Sequence, residues 1–213
     1  MDEATTTSRE RRLELIATVL LALATVATAW AAYQSRQWTG EQAQATSAAT
    51  AARIAENRAS AVANRQVQID VATFIQWLDA SQQHDPRLAD FYRVRFRPEF
   101  TPAFTTWLAT RPFDNHAAPP TPFAMRQYRL HASADAERLE ERAAAQSERS
   151  KDANQRADNY MLAVVLFASS LFFAGISAKL QTTRARTVIL GLGCVVFVAT
   201  AIWLATFPVR LTT

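Results

Sequence analysis

The residues with chemical potential are few and scattered. His84, His116 and His131 are the only histidines, and none has a Cys or second His at ligand spacing. His84 and Asp85 are adjacent and could share a metal, but without further donors the pair reads as an exposed polar turn. Glu137, Glu140 and Glu141 fall within one helical turn, as paired acid–base carboxylates would need. Arg138 and Arg142 interleave with them, and the pattern reads as a solvated, salt-bridged face. The four glycines are dispersed, so no loop can cradle a phosphate, and Gly191 and Gly193 stand in an apolar run where helix contact is their expected use. Cys194 is the single cysteine, which rules out an internal disulfide. Arg87, Arg93, Arg95 and Arg97 form one basic cluster, suited to phosphate head groups or an acidic partner. Asp85, Asp90 and Glu99 dilute it, and nothing marks nucleic-acid binding. These residues predict no enzyme, no catalytic residue, no metal, no cofactor and no nucleic-acid partner.

The elements that must position these residues are dominated by a membrane pattern. Apolar residues gather in three blocks, Leu15–Tyr33, Tyr160–Ala178 and Val188–Phe207. Each has about the 20 residues needed to cross a hydrocarbon core of about 30 Å. Trp30, Tyr33, Tyr160, Trp203 and Phe207 mark their ends, where amphipathic rings settle. The first block also has features of a secretory signal, with Arg9, Arg11 and Arg12 ahead of it and Ala27-Thr28-Ala29 as a cleavage-like site. The run continues to Tyr33, long enough to span, and an uncleaved anchor is expected. Arg9, Arg11 and Arg12, together with Lys179, Arg184 and Arg186, place the N-terminus and the 179–187 link inside. Residues 34–159 and the 208–213 tail then lie outside. Arg36, Arg149, Lys151 and Arg156 argue weakly against this orientation.

None of the spans has an ionisable interior residue, although coupled transporters usually need one. Thr25, Thr28 and Ser170 are polar but uncharged, and they suit either span packing or the lining of a pore formed by several copies. The net charge is only +4, and the basic residues are nearly all Arg. With so much Ala, that composition suggests a GC-rich bacterial genome.

The middle region is expected to be a helical hairpin. No Gly or Pro occurs from Glu41 to Asp85, and Ala, Gln, Arg and Glu favour helix. A helix of that length would reach roughly 67 Å. Ala45, Ala48, Ala52, Ala55, Ala59, Val62 and Ile69 fall on alternating three- and four-residue steps, with Gln66 as the polar exception. Ala136, Leu139, Ala143, Ala153, Ala157, Tyr160 and Val164 fit the same steps on the return, though Gln146 and Ser150 interrupt them. Two such stripes predict an antiparallel, coiled-coil-like stalk: outgoing helix 34–85, cap 86–122 and returning helix 123–159, with a tail at 1–14. Alanine seams bury little area, so the stalk should depend on its anchor, its cap or sister subunits. The cap holds all but one of the eight prolines. Arg93, Arg95, Phe96, Arg97, Phe100, Phe104 and Trp107 could dock a partner, since Trp, Phe and Arg favour such surfaces. Equally, the rings could form the cap's own core.

Some segments resemble a family of uncharacterised bacterial integral membrane proteins. They are Thr25-Val26-Ala27-Thr28-Ala29-Trp30, Tyr33-Gln34-Ser35, Gly40-Glu41-Gln42-Ala43, Arg97-Pro98-Glu99-Phe100, Pro102-Ala103-Phe104 and Pro120-Thr121-Pro122-Phe123-Ala124-Met125. The resemblance implies a bacterial membrane protein of this architecture and carries no activity and no site residue. The expectation is an all-α membrane protein with three transmembrane helices in the bacterial plasma membrane. Its partners would be the lipid bilayer and either its own copies, as a homo-oligomer, or another membrane protein. Its role would be that of a scaffold or, alternatively, a subunit of an oligomeric channel or transport complex.

Overall fold

Long alanine-rich stretches without proline hold a helix with little help, and a computed structural model of the chain shows five α-helices. It describes residues 2–210, with side chains from Glu10 onward, so the Arg9 side chain and residues 211–213 of the expected tail lie outside the described residues. The helices are α1 (Asp2–Gln82), α2 (Pro86–Arg93), α3 (Thr101–Ala109), α4 (His131–Ser177) and α5 (Thr183–Ala205), with one 3-10 turn at Pro122–Ala124. No strand occurs among the described residues.

Several boundaries differ from those the sequence suggests. The 1–14 tail is already helical from Asp2, because nothing in it breaks a helix. The returning helix begins at His131 rather than near Phe123, where only a 3-10 turn over Pro122–Ala124 forms before the backbone turns extended at Met125. The link between the last two helices is shorter than 179–187, so Arg184 and Arg186 sit in the first turn of α5.

α1 stops just ahead of Pro86, through a left-handed residue that is not glycine. His84 takes φ 59°, and its N–H bonds to the Ser81 carbonyl at 3.2 Å while the Asp85 N–H reaches Ala80 at 3.0 Å. That pair of bonds is a Schellman termination with a non-glycine residue in the left-handed position. Asp85 then starts α2, its Oδ1 accepting from the Arg87 and Leu88 N–H groups at 3.1 and 3.0 Å. Gly40 lies inside α1, and a Cβ added there would meet nothing within 4 Å. Gly40→Ala should therefore stabilise the protein by about 0.5–1 kcal/mol, measured as a raised melting temperature in detergent.

The chain packs as two compact units: residues up to Ser47 with those from Gln146 onward, and Ala48–Ala145. Three helices, α1, α4 and α5, are long and apolar enough to cross a membrane, and their apolar blocks fall in the first unit. Beside the buried rings of Tyr160 and Phe167, many small residues line its inside while large aliphatics face outward. Ala24, Ala31, Ala163 and Ala174 are fully buried, whereas Val19, Val26, Val165, Phe172, Val195 and Ile202 face outward. A water-soluble bundle would do the reverse, while lipid gives large side chains no reason to hide and rewards close packing of small ones. Gly193 shows how close that packing is. A Cβ there would stand 3.2 Å from the Phe173 Cβ and 3.5 Å from the Leu20 Cδ2.

In the second unit, the cap segment supplies most of an aromatic core. Phe96, Phe100, Phe104 and Trp107 pack with Phe74 and Trp77 of α1, and Phe123 and Tyr128 close the cluster. Trp77 meets Phe104 at 4.6 Å and 82°, and Phe100 stacks on Phe123 at 5.1 Å. The indole Nε1–H of Trp107 donates to the Pro119 carbonyl at 2.8 Å, which satisfies its one polar atom.

Candidate functional site

Two polar centres stand out, one in each unit. In the cap unit, Asp70 is a charged residue at 0 % exposure. α1 turns it inward on the same face as Ala63, Phe74 and Trp77. Its Oδ2 accepts from the Arg97 guanidinium at 2.9 Å and the Tyr128 hydroxyl at 3.0 Å. Oδ1 is buried without a partner among the described residues. Burial pushes the Asp70 carboxyl above its ordinary value, and the Tyr128 bond and the Arg97 charge pull back without cancelling it. Burial, and then the bond to Asp70, push the Tyr128 phenol up, so it stays protonated and donating. Arg97 also pairs with Glu99, whose Oε1 accepts from the His131 N–H at 3.1 Å and so caps the start of α4. One buried carboxylate thereby ties α1, the loop after α2 and the segment before α4 together.

The residues expected to dock a partner separate into two groups. Phe96, Phe100, Phe104 and Trp107 are buried in the aromatic core, and Arg97 is engaged with Asp70. Arg93 and Arg95 stay at the surface. Arg93 bonds to Asp90 at 2.6 Å, and the Arg95 guanidinium lies 3.5 Å above the Phe91 ring. The exposed apolar residues of this region include Leu108 and Phe113, and Leu88, Phe91 and Val94 at three-residue steps along and just past α2. That periodicity is present in the sequence, but it is outweighed there by the denser run of rings after Arg95. An open cavity of about 520 Å³ lies nearby, lined by Trp77, His84, Asp85 and Arg93 among others. Asp85 is already occupied as the α2 cap.

In the first unit, the polar centre sits just beyond the expected spans. The side chain of Gln34 exchanges two hydrogen bonds with the Arg210 backbone, both at 3.0 Å. Glu41 is buried and binds Arg210 at 2.6 Å and Arg149 at 2.5 Å. Burial pushes its carboxyl up, but the two guanidiniums outweigh that and leave it below its ordinary value. The Tyr160 hydroxyl donates to the Pro208 carbonyl at 3.1 Å. Sequence reasoning missed this clasp, because Gln34, Glu41 and Arg210 lie too far apart along the chain to form a pattern.

The hydroxyls expected at packing or pore positions are engaged. Thr25 and Thr28 bond to their own helix at Leu21 and Ala24, both at 2.7 Å. Ser170 is buried and donates to the Gly193 carbonyl at 2.9 Å, joining α4 to α5. Among the described residues no three His, Cys, Asp or Glu side chains converge as metal ligands would. The arrangement suits holding and docking. Comparison with protein-family models, with curated proteins and with solved structures finds no match to the chain.

Proposed function

We propose that the chain is a membrane-anchored helical scaffold that associates with copies of itself. The parts of α1 and α4 beyond the membrane would form an antiparallel stalk closed by the cap. It would sit in a bacterial plasma membrane with the N-terminus inside and the stalk outside. The observation that carries this reading is an aliphatic stripe left uncovered on α1. Ile54, Val62 and Ile69 are 40–50 % exposed on an otherwise polar, alanine-rich helix outside the expected span. At 3.6 residues per turn they lie within roughly 80° of one another. β-branched residues repeated on one helix face fit a second helix, and singly scattered surface aliphatics would not align this way.

The test is the mass of the protein in nanodiscs, corrected for lipid. The intact chain should form a defined oligomer, and Val62→Glu with Ile69→Glu should reduce it to monomer without loss of helical content. A monomeric intact chain, or an unchanged oligomer in the double variant, would sink the reading. The alternative, a subunit surrounding a pore, predicts ion flux in liposomes that responds to bulky substitutions at Thr25. The engaged hydroxyls of Thr28 and Ser170 favour the scaffold.

A further inference from the structure

Beside the clasp, the first unit has a cavity of about 230 Å³ that the scaffold reading does not use. Its walls include Trp38, Arg149, Asp152, Arg156 and Arg210, with Glu41 at the rim of the ion pairs. Three guanidiniums thus face two carboxylates, which leaves one positive charge uncompensated. Glu41 already serves Arg149 and Arg210. Among the described residues Arg156 has no carboxylate within ion-pair distance. Its guanidinium rests 4.6 Å from the Trp38 ring centre, and that of Arg210 lies 5.3 Å away. The Trp38 indole Nε1–H is buried without an acceptor among the described residues.

Depth gives the cavity its meaning. Trp38 lies five residues beyond Tyr33, and Arg156 lies four before Tyr160. At 1.5 Å per residue these are roughly 6–8 Å beyond the ends of the expected spans. That is the layer of phospholipid head groups, since a bilayer of about 40–45 Å has a core of about 30 Å. Trp30 and Tyr33, with rings 5.9 Å apart, present an exposed aromatic surface on the lipid side.

We propose that this cavity binds the phosphate of an anionic phospholipid head group. Arg156 is its principal donor, Arg149 and Arg210 flank it, and the acyl chains run along the outward face below. One phosphodiester anion matches the single excess charge, and guanidinium forks suit phosphate oxygens. The inference rests on the three helices crossing a membrane. It is independent of self-association.

The experiment is native mass spectrometry of the full-length protein released from nanodiscs holding equal phosphatidylglycerol and phosphatidylcholine of matched chains. The intact protein should retain one phosphatidylglycerol per chain in preference to phosphatidylcholine. Arg156→Gln should lower that retention about tenfold, the equivalent of one charge-assisted hydrogen bond. Arg156→Lys should keep part of it, and Arg142→Gln, far along α4, should leave it unchanged. Excess inorganic phosphate should not displace the lipid. Equal retention of the two lipids by the intact protein overturns the proposal, even if Arg156→Gln fails to fold. Displacement by inorganic phosphate overturns the lipid assignment in favour of a free-phosphate site.

Discussion

Arg97→Ala should destabilise the cap unit by about 3–5 kcal/mol at neutral pH, because it strands a buried carboxylate. Asp70 would keep only the Tyr128 hydroxyl, and its second oxygen already lacks a partner. The control is Arg93→Ala, which breaks an exposed pair with Asp90 and should cost at most about 1 kcal/mol. Unfolding of the full chain in detergent, followed by near-ultraviolet circular dichroism, reads both. Removing both partners, as in Asp70→Leu with Arg97→Met, should recover much of the loss, since no charge is then left buried.

The same loss should shrink in mild acid. Asp70 has a folded-state value raised above its unfolded one. Its contribution is therefore fully present below the unfolded value and is lost as pH rises through the folded one. Without Arg97 the folded value climbs further, so acidification protonates Asp70 and relieves the stranded charge. A cost of Arg97→Ala that stayed constant from neutral to acid pH would contradict this account.

Phe100→Ala should cost about 3–5 kcal/mol as well. The ring is wholly buried and packs against Phe74, Phe96, Phe123 and Tyr128 at 5.0–6.3 Å. Phe113 touches Trp107 but is more than half exposed, and Phe113→Ala should cost about 1 kcal/mol or less. Equal effects at the two positions would mean that the cap has no fixed core. Such a finding would also reopen the rings as a docking surface.

How much of this was legible varies by region. The three apolar blocks could be read directly, because about 20 uncharged residues in succession have few uses outside a bilayer. On α4 the alternating stripe picks out residues that are buried: Ala136, Ala143, Ala153, Ala157 and Tyr160. On α1 the same rule fails midway. It follows the aliphatic Val62 and Ile69, which are exposed, whereas the helix buries Ala63, Asp70, Phe74 and Trp77. A hydrophobicity pattern has no means of placing a buried aspartate, since its burial depends on Arg97 and Tyr128, which are distant in sequence. Sequence also separates Gln34 and Glu41 from Arg210, and that hid the clasp.

The clasp has a consequence for the order in which the protein is made. Everything holding the aromatic core and the Asp70 network lies within residues 48–145, so those contacts can close while the ribosome is still working. The bonds of Gln34 and Glu41 to Arg210 span 176 and 169 positions. They cannot form until residue 210 has emerged, after all three hydrophobic segments have been synthesised. The contacts of α1 are therefore completed last: the Glu41–Arg149 pair can hold α1 to α4 earlier, but its second guanidinium arrives only with Arg210.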